Sequence, residues 1–225
     1  MTLKFSSTDQ SSVNQGVKVL VYGGSGAGKT RLCSTAPKPI IVSAEAGLLS
    51  LRKYQIPVIE IKTIEELTEA YNWISSSPEA RQFSTICIDS LTEIAEVVLS
   101  HLKKQVKDPR QAYGEVIEKM AMVIRAFRDL PGFHVYMSAK MEPMKDEFSG
   151  VIKYGPMMPG QKLGPQLPYY FDEVFRIGIG RDLKGEPFRF LQTAPDLQYD
   201  AKDRSGSLAP LEPPDLNVVF TKILA

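Results

Sequence analysis

Two kinds of apolar pattern alternate along this chain. VKVLVY (17–22), PIIVS (39–43), STICID (84–89) and FHVYMS (133–138) are short continuous apolar runs, the mark of strands buried on both faces, and 58–61 reads as a further short strand. Between them the spacing changes to that of helices. Ile64, Leu67, Tyr71 and Ile74 share one face; Leu91, Ile94, Val98 and Leu102 mark a second helix; Val116, Met120, Val123, Phe127 and Leu130 mark a third. Thr63 with Glu66, and Ser90 with Glu93, have the spacing of capping boxes at two of the helix starts. Strands alternating with helices predict an α/β fold whose mostly parallel sheet is covered by helices on both faces, because crossover helices join parallel strands. Ligands then belong at the carboxyl ends of the strands. Residues 172–180 and 187–193 predict a closing β-hairpin, and PLEPPDL (210–216) precedes a short tail. The stretch from Met141 to Tyr170, rich in Gly, Pro and Met, shows no period and predicts a segment without regular structure, either a functional loop or disordered.

Of the 225 residues, 43% are apolar, enough for one sizeable core and too short for two ordinary domains. We therefore expect a flexible segment over 1–16 and a single domain over 17–225. The formal net charge is +1, so no global field draws the chain to nucleic acid and such binding would need local patches. The start lacks an apolar signal core, and no run approaches the roughly 20 apolar residues that span a bilayer. A cytoplasmic protein with no membrane partner is the expectation. Cys33, Cys87, His101 and His134 show no metal-ligand spacing, and the cysteines read as buried thiols.

The chemistry concentrates in Gly23-x4-Gly28-Lys29-Thr30, a full Walker A pattern directly after a strand and before a helix. Gly23, Gly24, Ser25, Gly26, Ala27 and Gly28 form a loop whose backbone N–H groups can curl around phosphate, and the helix start at Lys29, Thr30 and Arg31 adds its positive end. Lys29 would meet the β- and γ-phosphates of ATP, and the Thr30 hydroxyl would coordinate Mg²⁺. Asp89 ends a buried strand 60 residues after Lys29, which suits a second Mg²⁺-holding group; the bland reading is a helix cap, a role Ser90 already fills. Glu45, after IIVSA, reads equally as a base that activates the attacking water or as an exposed residue at the next helix start.

The string 39–48, PIIVSAEAGL, resembles the RecA-type ATPase core, whose second strand ends near a catalytic glutamate, and this resemblance assigns the base to Glu45. Residues 201–206, AKDRSG, resemble the Lys-x-Arg element that RecA and hexameric helicases insert into a neighbouring subunit's ATP site, with Lys202 and Arg204 as the cations. The order of motifs from Val17 to about Gly206 is similar to that of short, core-only RecA-like ATPases of bacteriophages, including Sak-type single-strand annealing proteins. Gly24 or Ser25 stands where ParA-type ATPases carry an additional lysine, so that branch is not favoured. One departure concerns the sensor position, usually glutamine in RecA, where Ser138 or Lys140 stands.

The same resemblance implies two loops that hold single-stranded DNA. The first corresponds to Lys103, Lys104, Lys107 and Arg110. The second corresponds to 141–167, where Lys145, Lys153 and Lys162 supply cations and Phe148 and Tyr154 supply stacking faces. Acidic Glu142, Asp146 and Glu147 weaken a basic groove there. The implied protein is an ATPase that forms rings or filaments on single-stranded DNA and promotes annealing or recombination, with a single-strand DNA-binding protein as a candidate accessory partner. Two alternatives share most motifs: an assembly or loading ATPase without annealing activity, and a small P-loop kinase.

Overall fold

The computed structural model describes residues 16–45, 47–145 and 150–225. The expected flexible segment therefore falls outside the described residues except for Gly16, as do Ala46, Asp146, Glu147 and Phe148.

Strands β1 (Lys18–Gly23), β2 (Pro39–Ser43), β3 (Val58–Glu60), β4 (Thr85–Asp89), β5 (His134–Lys145) and β7 (Glu173–Arg181) lie in the order β7-β1-β5-β4-β2-β3, every neighbouring pair parallel. On the other side of β7, β8 (Pro187–Gln192) and β10 (Leu211–Glu212) add antiparallel strands, and β9 (Lys202–Asp203) also pairs antiparallel with β7. The result is the expected α/β core, a mostly parallel sheet with a carboxyl-terminal hairpin. β4 and β1 are not neighbours. β5 runs between them, so the strand ending in Asp89 and the strand entering the glycine loop each touch β5.

The alternation of the central strands sends residues to two cores. Val19, Val21, Ile41, Cys87, Tyr136, Phe175, Ile177 and Leu191 face α1 (Lys29–Leu32) and α6 (Leu216–Leu224). Leu20, Tyr22, Val42, Ile86, Ile88, Val135 and Met137 face α2 (Ile64–Ser76), α3 (Leu91–Lys103) and α4 (Pro109–Arg128). Cys33 and Cys87 are buried free thiols, as expected. The carboxyl-terminal tail is helical, capped by the Asp215 carboxylate, and buries Leu216, Val219 and Phe220.

Local signals account for the helix starts. Thr63 and Glu66 form the full capping box ahead of α2. Ahead of α3 only half of the box forms, since Ser90 accepts from the Glu93 N–H while the Glu93 carboxylate pairs with Lys140.

The expectation of a structureless 141–170 is corrected. β5 continues beyond the sheet and its residues Met141 to Lys145 pair antiparallel with β6 (Ile152–Pro156), making a two-stranded arm, followed by the short helix α5 (Leu163–Gln166). Pro143 has no N–H for the ladder, and its partner Tyr154 gives its own N–H to the Gln198 carbonyl at 2.6 Å. Among the described residues, no helix is long and apolar enough to cross a membrane.

Candidate active site

At the carboxyl end of β1 the chain turns through the glycine loop into α1. Gly28 adopts φ +114°, open to glycine alone without strain, and a side chain on Gly23 would come within 2.6 Å of Ile177 on β7. The loop is therefore packed from behind by the hairpin and open in front. The open side is a cleft of about 850 Å³ whose lining includes Gly23, Gly24, Ser25, Gly26, Gly28, Lys29, Thr30 and Arg31, together with Glu45, Lys140 and Arg189.

Lys29 donates to the carbonyls of Gly23 at 2.9 Å and Gly24 at 3.0 Å. Burial lowers its pKa, an effect opposed by the carboxylates of Glu45 and Asp89. A lysine tethered only to neutral carbonyls can exchange them for a stronger anionic partner. Tyr136 on β5 fixes the start of α1 by donating to the Lys29 carbonyl at 2.8 Å.

The structure brings the two distant acids to this loop. Thr30 Oγ1 donates to Asp89 Oδ2 at 2.7 Å, and Ser138 Oγ donates to the other oxygen, Oδ1, at 2.5 Å. Asp89 is 1% exposed, and with both oxygens engaged by hydroxyls its carboxylate is held in one orientation. Glu45 lines the cleft, and Ser90 Oγ donates to its Oε1 at 2.8 Å. Thr30 and Asp89 suit Mg²⁺, which binds oxygen, keeps several waters and needs only one or two protein groups beside phosphate. Among the described residues no group of three or more His, Cys, Asp or Glu could form a metal cage by itself.

Of the two sensor candidates, Ser138 is fully buried against Asp89, whereas Lys140 lines the cleft with its ammonium paired to Glu93. Thr92, a residue that the periodicity showed only as helical, links three segments. Its hydroxyl donates to the Met157 carbonyl at 2.8 Å and accepts from the Lys140 N–H at 3.0 Å.

Lys202 and Arg204 do not reach this cleft within their own chain. Both extend toward the segment 168–172: Lys202 Nζ donates to the carbonyls of Pro168, at 2.9 Å, and Phe171, and Arg204 pairs with Asp172 at 2.8 Å. Burial lowers the Lys202 pKa, while the Arg204 side chain stays largely exposed. Beside them, on β7, lies a group that the apolar run concealed. Glu173 is 2% exposed, and burial followed by the nearby Asp203 raises its pKa to about 8. One of its oxygens has no donor facing it, which a protonated Glu173 giving its hydrogen to Asp203 would satisfy.

The DNA-loop candidates fall into two groups. Lys145 and Lys153 are exposed on the arm, whereas Tyr154 stacks on Tyr199 with ring centres 5.3 Å apart and is partly covered. Exposed Lys103, Lys104, Lys107 and Arg110 surround the turn between α3 and α4, and Lys162 is exposed after the arm. Tyr113 joins the two regions. Its ring lies 5.0 Å below the Lys103 ammonium and would touch a side chain at Gly160 at 3.4 Å.

A family model for the AAA domain matches residues 15–205. No curated protein matches the chain. Among solved structures, a KaiC-like protein from the hyperthermophilic archaeon Pyrococcus horikoshii OT3 aligns at 15% identity, covering 79% of this chain and 77% of its own, with a TM-score of 0.45.

Proposed function

The chain belongs to the AAA domain family, and from that premise we propose that residues 17–225 act as one ATPase unit that hydrolyses ATP to control its grip on single-stranded DNA. Annealing or recombination of DNA strands is the process this activity would serve. A single observation carries the reading: β5 runs without a break from Ser138, bonded to Asp89, to the two-stranded arm with exposed Lys145 and Lys153. A change at Asp89 would therefore bear on the strand that carries Lys145 and pairs with the strand that carries Lys153.

In this reading the N–H groups of the glycine loop and the Lys29 ammonium bind the phosphates of ATP. Thr30 and Asp89 would hold Mg²⁺, which when bound neutralises charge on phosphate oxygens. Glu45, oriented by Ser90, takes a proton from water as the water oxygen bonds to the γ-phosphorus and the bridging P–O bond breaks, leaving ADP and phosphate. Arg204, largely exposed and out of reach of its own cleft, serves a neighbouring subunit in a ring or filament, and Lys202 joins it there by exchanging the carbonyls of Pro168 and Phe171 for the neighbour's phosphate.

The decisive experiment is ATP turnover with and without single-stranded DNA, beside the Lys29→Ala protein as control. Stimulation by DNA that Lys29→Ala lacks supports the reading. Equal turnover with and without DNA favours an assembly or loading ATPase.

A further inference from the structure

Arg189 was not among the residues that motif spacing singled out, yet it lies on the glycine loop. It is the residue of β8 opposite Ile179, two positions before Leu191, and so shares the hairpin face of Ile177 and Leu191 that packs toward α1. From there its Nε donates to the Ala27 carbonyl at 3.0 Å, and its Nη2 lies 3.4 Å from the Gly26 carbonyl. The fit around Gly28 is close: a side chain there would meet Arg189 Cδ at 3.3 Å and Ile177 Cδ1 at 3.4 Å.

A trans peptide is planar, with its C=O and N–H pointing in opposite directions. Fixing the Ala27 carbonyl against the hairpin therefore fixes the Gly28 N–H on the side away from the hairpin. The N–H groups of Lys29 and Thr30 follow in the first turn of α1, where no intrahelical acceptor exists. We infer that Arg189 is a positioning residue of the phosphate loop: by holding the Ala27 carbonyl it aims the Gly28 N–H at the diphosphate of a bound nucleoside di- or triphosphate.

The need for such a brace has a physical source. Gly28 has no side chain to limit rotation, and glycine populates φ of either sign about equally. Without an anchor on the preceding carbonyl, the Ala27–Gly28 peptide can flip and withdraw its donor from the cleft. A guanidinium supplies two donors in one rigid plane, which suits two successive carbonyls better than a lysine ammonium does. Arg189 acts before any chemistry, so its effect belongs to nucleotide affinity.

This inference rests on the phosphate-cleft part of the proposed function and is independent of DNA and of hydrolysis. The test measures Mg·ADP binding by calorimetry and follows the Gly28 amide resonance by NMR in the parent, Arg189→Ala and Arg189→Lys proteins. ADP should bind about tenfold more weakly to both variants, the scale of losing one well-aimed N–H bond to a charged phosphate. The downfield shift of the Gly28 proton on ADP binding should shrink in both, while the melting temperature without nucleotide changes little. Millimolar methylguanidinium should restore part of the affinity of Arg189→Ala. If the alanine protein fails to fold, Arg189→Lys carries the test, since it keeps the stem and charge and loses the planar donor pair. Parent-like affinity and a parent-like Gly28 shift in Arg189→Lys would overturn the inference. A parent protein that binds no ADP would overturn the phosphate-cleft reading itself.

Discussion

Ser138 and Asp89 are joined by a hydrogen bond of 2.5 Å between adjacent parallel strands, and the second oxygen of the same carboxylate receives Thr30 at 2.7 Å. One acid is thereby tied to the glycine-loop helix on one side and to the strand that becomes the arm on the other. The predictions below test what each part of that arrangement contributes.

Ser138→Ala removes one of the two hydroxyls that orient Asp89 and leaves Lys29 and Thr30 in place. ATP should still bind, but DNA affinity should lose most of its dependence on whether ATP or ADP is present. Fluorescence anisotropy of labelled single-stranded DNA in each nucleotide state reads this directly. A parent-like difference between the two states would remove Ser138 from the connection.

Glu45→Gln keeps size and can still accept from Ser90, yet it cannot take a proton from water. ATP binding should persist while turnover falls about 10²–10⁴-fold, the usual cost of losing a general base. Unchanged turnover would leave Glu45 as a loop residue without a chemical role.

Lys145 and Lys153 stand exposed on the two strands of the arm. Replacing both by alanine should weaken single-stranded DNA binding and reduce the slope of log K against log salt by about 1.4, from roughly 0.7 per phosphate contact. A weaker complex with the same salt slope would mean that the lysines shape the arm and do not touch phosphate.

Arg204→Ala should bind nucleotide but hydrolyse it slowly if its guanidinium acts on a neighbour's ATP. Mixed with Lys29→Ala it should recover part of the activity, because some interfaces would pair an intact loop with an intact arginine. Mixed oligomers that form without recovery would show that Arg204 serves only its own contact with Asp172.

Glu173 gives a pH dependence with a definite sign. Its pKa is 4.5 in ordinary surroundings and about 8 in the fold, so between those values the folded state holds a proton that the unfolded state has released. Stability should then fall as pH rises through this window. Lys18 and His134, whose folded values are lowered, are common to the parent and the variant and cancel in the comparison. Melting temperatures of the parent should decline from pH 5 to pH 7.5 relative to Glu173→Gln, which carries no titrating group. Parallel profiles would show that Glu173 is ionised in the fold.

The legible part of this protein was the part encoded by neighbours in sequence. Apolar runs placed β1, β2 and β4 to within a residue, the Thr63–Glu66 pair marked the start of α2, and the glycine spacing marked the phosphate loop. Each depends on local backbone preference or on the period of one element. The arm's sequence reads as an irregular loop because a two-stranded ribbon outside the sheet buries neither face fully, so it carries no period of two. Ser90 was legible as a cap, but that Glu93 turns to Lys140 was not.

By itself the sequence determined the core strands and the three amphipathic helices between them, and that one loop has the glycines and lysine to hold phosphate. Only the tertiary structure decided that Ser138 shares Asp89 with Thr30, that Arg189 grips the loop from 162 residues away, and that Lys202 turns into its own chain. Those contacts follow from the order and direction of strands in the sheet. Strand order is set by how the whole core closes, a sum over many distant apolar pairings to which no single segment holds the key.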